Sequence, residues 1–593
     1  MVDPFIYAPL PKDSIRLLTF STPSTSPGLP TCTIDTVSLD IPLKFCALSY
    51  AWGPPSATEG ILCNGLQMKI AANLHEAIKI LFSPQLTLDL PIWIDAICIN
   101  QKDDEEKSEQ VSRMGDVYKM ACKVIVWLGP ASEESDLAMD SLSWLSRNLS
   151  WFKHPVSTPM LGEAGFPDEN SPIWPALGHL YGRSWFGRVW TFQEAVLAVD
   201  SLVICGQKTV DWTTLATVGS ELRRVALWQL CVGQQEIDLH HDGFRATILI
   251  SFSKQELARR GYLNPTMLLR IADSKLCSDP RDKVYAMLGM TWSSFKNRVQ
   301  ISYSNDSDRE ILETFIEYGK ACIEEKLPEI FQLVARRSRM PGLPSWCPNL
   351  YSNPKTSFIN PFNARAGIAA DDYPGERLEG TILPGSSKLG VTGFRVDTIS
   401  KIVDGSFDWP PSPPGEERRL RSQRFLEWES RCLALAQTTL LVSAENVPID
   451  HVFTLSTYTR GRKMRVPQDD DLLEAYNTIL CDIRRDTFGD ESIQAPVPNL
   501  GLYHGLWQRI CASCTGRKYF STGNGRLGLG PPDIKKGDTI SVFYGTETVL
   551  ILRPAEENPE EWFFVGDAFV YGLMELDETP QSTRGTDEVF TII

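Results

Sequence analysis

Residues 91–129 read PIWIDAICINQKDDEEKSEQVSRMGDVYKMACKVIVWLG, a strand, a helix and a second strand in under forty residues. Ile92, Ile94 and Ala96 fill one face of the first run, and Trp93 and Ile97 fill the other, as a strand buried on both sides requires. Residues 123–128, KVIVWL, repeat the pattern. Between the two runs Val111, Met114, Val117, Tyr118 and Ala121 recur at helical spacing. Asp103 and Asp104 stand where a carboxylate suits the positive end of the helix dipole. These periods spell a βαβ unit. Residues 93–97 and 124–127 are therefore expected as adjacent parallel strands of an α/β sheet flanked by helices.

Structure can be read outward from that unit. Residues 44–52, KFCALSYAW, form a strand that must turn at Gly53-Pro54-Pro55, and residues 61–70 read as a hairpin with Asn64-Gly65 as a type I′ turn. Asn73 opens a helix with Glu76 three residues on, which is capping-box spacing. Downstream, residues 135–149 look helical, 154–175 look like an irregular insertion, 185–199 return as a helix and 201–206 as a strand. Residues 213–261 are mostly helical, and Ser278 is placed to cap a helix with Pro280 in its first turn.

Residues 21–30 read as a loop and residues 306–334 as helix. Loops run to about residue 384, and a β-rich module begins near Leu389. A Pro-rich linker at 409–417 and a helix at 423–436 interrupt it. The clearest strands are TISVFY, TVLILR and WFFVGDAFVYGLM near the carboxy terminus, at the spacing of a small barrel or meander, and the first, second and third are expected to form one antiparallel sheet. No repeat period is visible, which disfavours a solenoid or propeller.

Composition bounds the function classes. A chain of 593 residues allows about two to four domains. Its 42% apolar and 22% charged content is that of a globular protein, and no run nears the ~20 apolar residues of a membrane helix. The opening residues lack signal-peptide character, so a soluble, cytoplasmic protein is expected. A net charge of −16 argues against a nucleic-acid partner, since phosphate binding needs clustered Lys and Arg. The longest basic cluster, EERRLRSQR at 416–424, has acids beside it and reads as a solvated helix face or linker. Fourteen scattered cysteines, with one CxxC at Cys511 and Cys514, fit reduced thiols better than a zinc site. His240-His241 is the one adjacent histidine pair, and neither HExxH nor GxSxG occurs. GxxxxGK[ST] is absent, and the one GxGxxG spelling, GNGRLG at 523–528, lies among the tail strands rather than between a strand and a helix, which leaves dinucleotide oxidoreductases and P-loop enzymes without support.

Four ordered blocks carry a family resemblance. WIDAICINQ, with Glu105, Glu106, Gln110-Val111, Met114, Tyr118, Ala121 and Trp127-Leu128-Gly129, resembles the signature of the fungal heterokaryon incompatibility (HET) domain. ALSYAWG at 47–53, RSWFGRVWTFQEA at 183–195 and SDPRDKVYAMLGM at 278–290 resemble its other blocks in the family's order. Residues 5–18 and LPSWCPNL at 343–350 extend the likeness more weakly. The tail motifs GRLGLGPPDIKKGD and FVGDAFVYGLM resemble the carboxy-terminal region of many long HET proteins. The resemblance implies a HET domain over residues 1–300, a helical and loop connection over 301–380 and a β-rich domain over 381–593. It also implies a role in nonself recognition and programmed cell death, a form of innate immunity, with the HET domain as toxic or signalling module. Self-association through that domain and a protein trigger are the partners it implies.

In open α/β sheets ligands sit beyond the carboxyl ends of the strands, so two loops qualify as walls of one crevice. One carries Ser49, Trp52 and Gly53, and the other carries Asp95 and Gln101. These residues equally suit structural work: Trp52 covering the sheet edge, Asp95 capping a turn, Asn100 and Gln101 satisfying loop backbone. Glu194 in WTFQEA is the sharpest candidate. It lies one helical turn from Trp190, and a carboxylate against an aromatic surface favours its neutral form. The HET domain is also remotely similar to Toll/interleukin-1 receptor (TIR)-type domains, several of which hydrolyse NAD with one glutamate in a helix that carries a tryptophan. That likeness implies Glu194 as catalytic residue, Ser49, Trp52, Gly53, Asp95, Gln101 and Trp190 as nucleotide-binding residues, NAD as substrate, and no bound cofactor or metal. The alternatives are an ordinary ion pair for Glu194 and a non-enzymatic adaptor that works by self-association. Asp279 to Lys283 (DPRDK) is read as helix-start capping and pairing.

Overall fold

The computed structural model describes residues 3–21, 29–53, 57–83, 90–152, 156, 158–232, 242–304, 308–334, 340–351, 378–407, 416–458, 467–489, 500–546, 548–574 and 586–593. It divides into two compact units, Met1–Ile311 and Leu312–Ile593.

The first unit is built on nine strands: β1 (Ser14–Phe20), β2 (Thr31–Ser38), β3 (Cys46–Tyr50), β4 (Ala57–Cys63), β5 (Leu66–Ala71), β6 (Ile92–Trp93), β7 (Lys123–Trp127), β8 (Ser201–Cys205) and β9 (Lys208–Asp211). Their order is β5-β4-β2-β1-β6-β3-β7-β8-β9. The sheet is mixed, which corrects the expectation of a parallel one. β6, β3, β7 and β8 form a parallel centre and β2 pairs parallel with β4, whereas β1 pairs antiparallel with β2 and β6, and β9 turns back on β8. The two strands of the βαβ unit are parallel, yet β3 lies between them. β3 comes from an earlier stretch and is buried along its whole length, so it takes the most enclosed position; local periodicity carries no information about such an insertion. The first strand is also shorter than its apolar run. Asp95–Cys98 is already helical, because Cys98 N–H bonds Ile94 C=O at 2.7 Å and the Asp95 carboxylate accepts Ala96 N–H at 2.7 Å.

The helix Asp104–Met120 follows as its spacing predicts, with Asp103 as N-cap accepting from Glu105 and Glu106 N–H at 3.1 Å each. Its buried face carries Val111, Met114, Val117 and Tyr118, and Tyr118 meets Trp93 edge-to-face at 5.5 Å. Gly115 on that face touches Gly289: a Cβ there would lie 3.1 Å from Gly289 Cα and 3.3 Å from Leu197 Cδ1. Gly115→Ala is expected to force these backbones apart and lower stability by about 1–3 kcal/mol, read as a drop in the urea midpoint.

Other local expectations meet mixed outcomes. Asn64 and Gly65, at φ 51° and 79°, make the type I′ turn between β4 and β5. Asn73 does not cap its helix, Ala72–Leu81, which has no side-chain cap. Ser278 caps nothing either: the helix begins at Asp282, and Asp279 holds Arg281 instead. Residues 185–199 split into a 3₁₀ turn, Ser184–Gly187, and the helix Val189–Leu197, while the expected insertion at 154–175 contains a short helix, Thr158–Glu163. His240-His241 and most of the loops at 21–30 and 409–417 lie outside the described residues.

The second unit holds β10 (Gly380–Ile382), β11 (Leu389–Ile402), β12 (Lys518–Thr522), β13 (Leu527–Gly530), β14 (Thr539–Phe543), β15 (Val549–Pro554), β16 (Glu561–Val570) and β17 (Glu588–Ile592). Following antiparallel pairs from β11 through β12, β13, β16, β15 and β14 returns to β11, so the sheet closes into a barrel. Closure removes the exposed edges that open β-sheets present. It depends on β11, whose 14 residues carry two register shifts and so bend far enough to pair with β14 and β12. The three tail strands are neighbours of one antiparallel sheet, as their spacing predicts. Between β11 and β12 the chain makes the helices Glu416–Leu440, Ile449–Ser456, Asp469–Phe488 and Leu500–Cys514. Two of these helices enclose the buried His451, whose ring nitrogens meet Tyr519 and Tyr476 hydroxyls at 2.9 and 3.0 Å. Among the described residues no helix is long and apolar enough to cross a membrane.

Candidate functional site

Four chain segments converge around the carboxyl half of β3. β3 delivers Ser49 and Tyr50 and runs into Ala51-Trp52-Gly53. The turn after β6 delivers Asp95, the helix Asp104–Met120 delivers Tyr118, and Arg188 precedes the helix that carries Glu194. Trp52 Nε1 donates to Asp95 Oδ2 at 2.9 Å, Trp185 Nε1 donates to Ser49 Oγ at 2.9 Å, and Tyr118 O–H donates to Leu48 C=O at 2.9 Å. Arg188 sits over the Trp52 ring at 5.5 Å from its centroid and donates to Tyr50 C=O. Trp52 is 37% exposed, whereas Glu194 is 2% exposed.

The electrostatics centre on two carboxylates that share one guanidinium. Burial pushes Glu194 from 4.5 up to about 8, with Asp95 pushing the same way and Arg188 and the Ser49 and Tyr118 hydroxyls opposing. Burial also raises Asp95, against Arg188, the Ala96 N–H and the Trp52 indole. The difference between the two lies in their partners. Both Asp95 oxygens receive hydrogen bonds, whereas Glu194 Oε2 is buried with no hydrogen-bond partner among the described residues. An environment of this kind holds a carboxylic acid neutral near pH 7 and leaves it poised to exchange a proton.

The residues singled out from sequence divide accordingly. Glu194, Ser49, Asp95 and Trp52 come together. Gln101 joins through its Nε2, which donates to Asp95 C=O at 3.1 Å, and Gly53, at φ 75°, makes the turn after Trp52. The Trp190 indole N–H serves Asp282, which burial raises to about 6 and which also accepts the Tyr303 hydroxyl at 2.5 Å. Sequence reasoning missed Arg188, Tyr118 and Asn73. Asn73 donates to Ala51 C=O and accepts the Trp127 indole N–H at 3.1 Å, which braces the Trp52 loop against the end of β7. Neither Arg188 nor Asn73 has a distinguishing local pattern; Tyr118 was visible only as a core position. DPRDK forms a short ion pair, Arg281 with Asp279 at 2.7 Å, and Arg281 is 1% exposed.

Residues 45–194, which span every part of this cluster from β3 to Glu194, match the family described as heterokaryon incompatibility protein (HET). Residues 496–590 match the Het-6 beta-barrel domain, which covers the barrel strands from β12 through β16. The chain is similar to Heterokaryon incompatibility protein 6, OR allele, of Neurospora crassa, at 24% identity over 96% of this chain and 95% of that protein. No solved structure matches it.

Proposed function

We propose that this chain is a HET protein that acts in heterokaryon incompatibility, as a nonself-recognition protein that triggers regulated cell death, and that its HET domain does so by hydrolysing NAD. The observation that carries the chemistry is Glu194, buried, pushed to about 8 and left with an unpartnered oxygen beside Asp95 and Arg188. Cleaving the nicotinamide–ribose bond passes through an oxocarbenium-like state, which a fixed carboxylate stabilises, and the attacking water must surrender a proton to a base. In this reading ionised Glu194 does both, Arg188 attracts the pyrophosphate, and Trp52 offers its exposed face to a base. The remote TIR-type likeness belongs to this reading.

Purified protein incubated with NAD is expected to release free nicotinamide, and overexpression in a fungal host is expected to arrest growth with loss of cellular NAD. Growth arrest with undiminished NAD would defeat the enzymatic reading. Trp52→Ala and Ser49→Ala should act on binding, raising the apparent KM about tenfold with kcat changed less, since Trp52 is exposed and the Glu194 base is retained.

A second reading, a non-enzymatic adaptor that self-associates, draws on a different observation. The helix Glu133–Asn148 and the turn after it leave Leu137, Trp144 and Trp151 exposed, the last at 78%. Concentration-dependent sedimentation lost in Trp151→Asp, together with an inert NAD assay, would favour it.

A further inference from the structure

β2 and β4 meet through only two registered residue pairs, Thr31 with Leu62 and Cys32 with Cys63. Registered neighbours in a sheet project to the same face, and neighbouring strands stand about 4.8 Å apart, inside the ~4.4–6.8 Å Cα separation a disulfide accepts. Cys32 is 1% and Cys63 0% exposed, and both are free thiols. The backbone locks the register around them: Asn64 N–H donates to Cys32 C=O and Leu62 N–H to Pro30 C=O, each at 2.9 Å, while the Asn64 carboxamide accepts Ile34 N–H at 3.1 Å.

We propose that Cys32 and Cys63 are a redox-active dithiol that peroxide converts to a cross-strand disulfide. Solvent is one residue away on both strands. Thr31 and Thr33 flank Cys32 and are exposed, and Cys63 ends β4 at the exposed Asn64-Gly65 turn. A brief opening of the hairpin tip therefore admits a molecule as small as hydrogen peroxide. The thiols are also unequal, because a hydrogen bond from Cys32 draws the Cys63 thiol below its ordinary value, against burial. The Cys63 thiolate attacks one peroxide oxygen, the O–O bond breaks, and a hydroxide leaves to become water, giving a sulfenic acid. Cys32, losing its proton, then attacks the Cys63 sulfur, the S–O bond breaks, and the second oxygen leaves as water. Two thiols lose two electrons and two protons to one peroxide. The product pins the β4–β5 hairpin to β2, and that hairpin joins the Trp52-Gly53 loop to the helix carrying Asn73. The proposal is independent of NAD chemistry.

The test treats the full-length protein with graded hydrogen peroxide, blocks free thiols with an alkylating reagent, and maps peptides without reduction. One linked peptide pair containing Cys32 and Cys63, lost on adding dithiothreitol, is the expected result. The oxidised protein should also melt several degrees higher than the reduced protein. Cys32→Ser should abolish the link and leave Cys63 as a sulfenic acid that dimedone traps. Folding of that variant is checked by its circular dichroism melt; should it not fold, the wild-type peptide map decides alone. Cys98 is buried behind the pair, its sulfur accepting Ile94 N–H at 3.3 Å, so a Cys63–Cys98 link is the competing product. That link, or Cys32 and Cys63 both recovered alkylated after other thiols have oxidised, overturns the proposal.

Discussion

Glu194→Gln is expected to abolish NAD hydrolysis and growth arrest together while leaving the protein folded and, above neutrality, more stable than the wild type. The amide keeps the shape of the side chain but supplies neither negative charge to an oxocarbenium-like transition state nor a base for water, so a loss of at least 10²–10³-fold in kcat is expected. The stability arm follows from linkage. Glu194 is raised in the folded state from 4.5 to about 8, so between those values the folded protein holds a proton that the unfolded chain releases. Its contribution is therefore fully present below about pH 4.5 and is lost as pH rises through about 8, on the order of 5 kcal/mol at most. Activity has the opposite slope, because the ionised form is the working one: kcat/KM should climb as pH rises through about 8. Glutamine carries no titrating proton, so the variant should lack this pH dependence in its melting midpoint. Full activity of Glu194→Gln at equal protein level would remove the glutamate from the mechanism, and identical pH–stability curves for the two proteins would contradict its buried titration.

Trp127→Ala should cost about 3–5 kcal/mol, seen as a large fall in the denaturant midpoint of the first unit. Trp127 is 1% exposed at the end of β7, between β3 and β8, where a truncation leaves a cavity the rigid sheet cannot close. Its indole N–H also holds the Asn73 carboxamide, which in turn braces the Ala51 carbonyl beside Trp52. Trp127→Phe keeps most of the volume and loses that hydrogen bond, so about 1–2 kcal/mol is expected, with a larger effect on the Trp52 loop than on the core. Near-equal midpoints for Trp127→Ala and the wild type would contradict the central place of β7.

Two features of the site illustrate how far local pattern reaches. Glu194 stood out because an acid inside an apolar helix is costly wherever it is placed, and that cost is a property of the residue and its immediate neighbours. Its partners were another matter. Val189–Leu197 is buried all round, so helical spacing alone could not say which neighbour each side chain meets. The Trp190 indole bonds Asp282, just over ninety residues later in the chain, and Glu194 meets Ser49 of β3 and Tyr118. Asn73 shows the same thing in reverse: its spacing to Glu76 satisfies a capping rule, yet two long-range partners outcompete the cap.

By itself the sequence determined what depends on near neighbours along the chain: the helix Asp104–Met120 with its Asp103 cap, the Asn64-Gly65 turn, the buried runs of β3 and β7, the antiparallel tail strands, and the ordered blocks that mark the HET domain. Tertiary structure alone decided the insertion of β3 between β6 and β7, the mixed sheet, the closure of the barrel through the bent β11, and the charge of Arg188 acting on two buried carboxylates. Each of these is a competition among distant segments for the most enclosed position or the best charge partner. Its outcome is set by burial and desolvation summed over the folded molecule, quantities to which no window of adjacent residues has access.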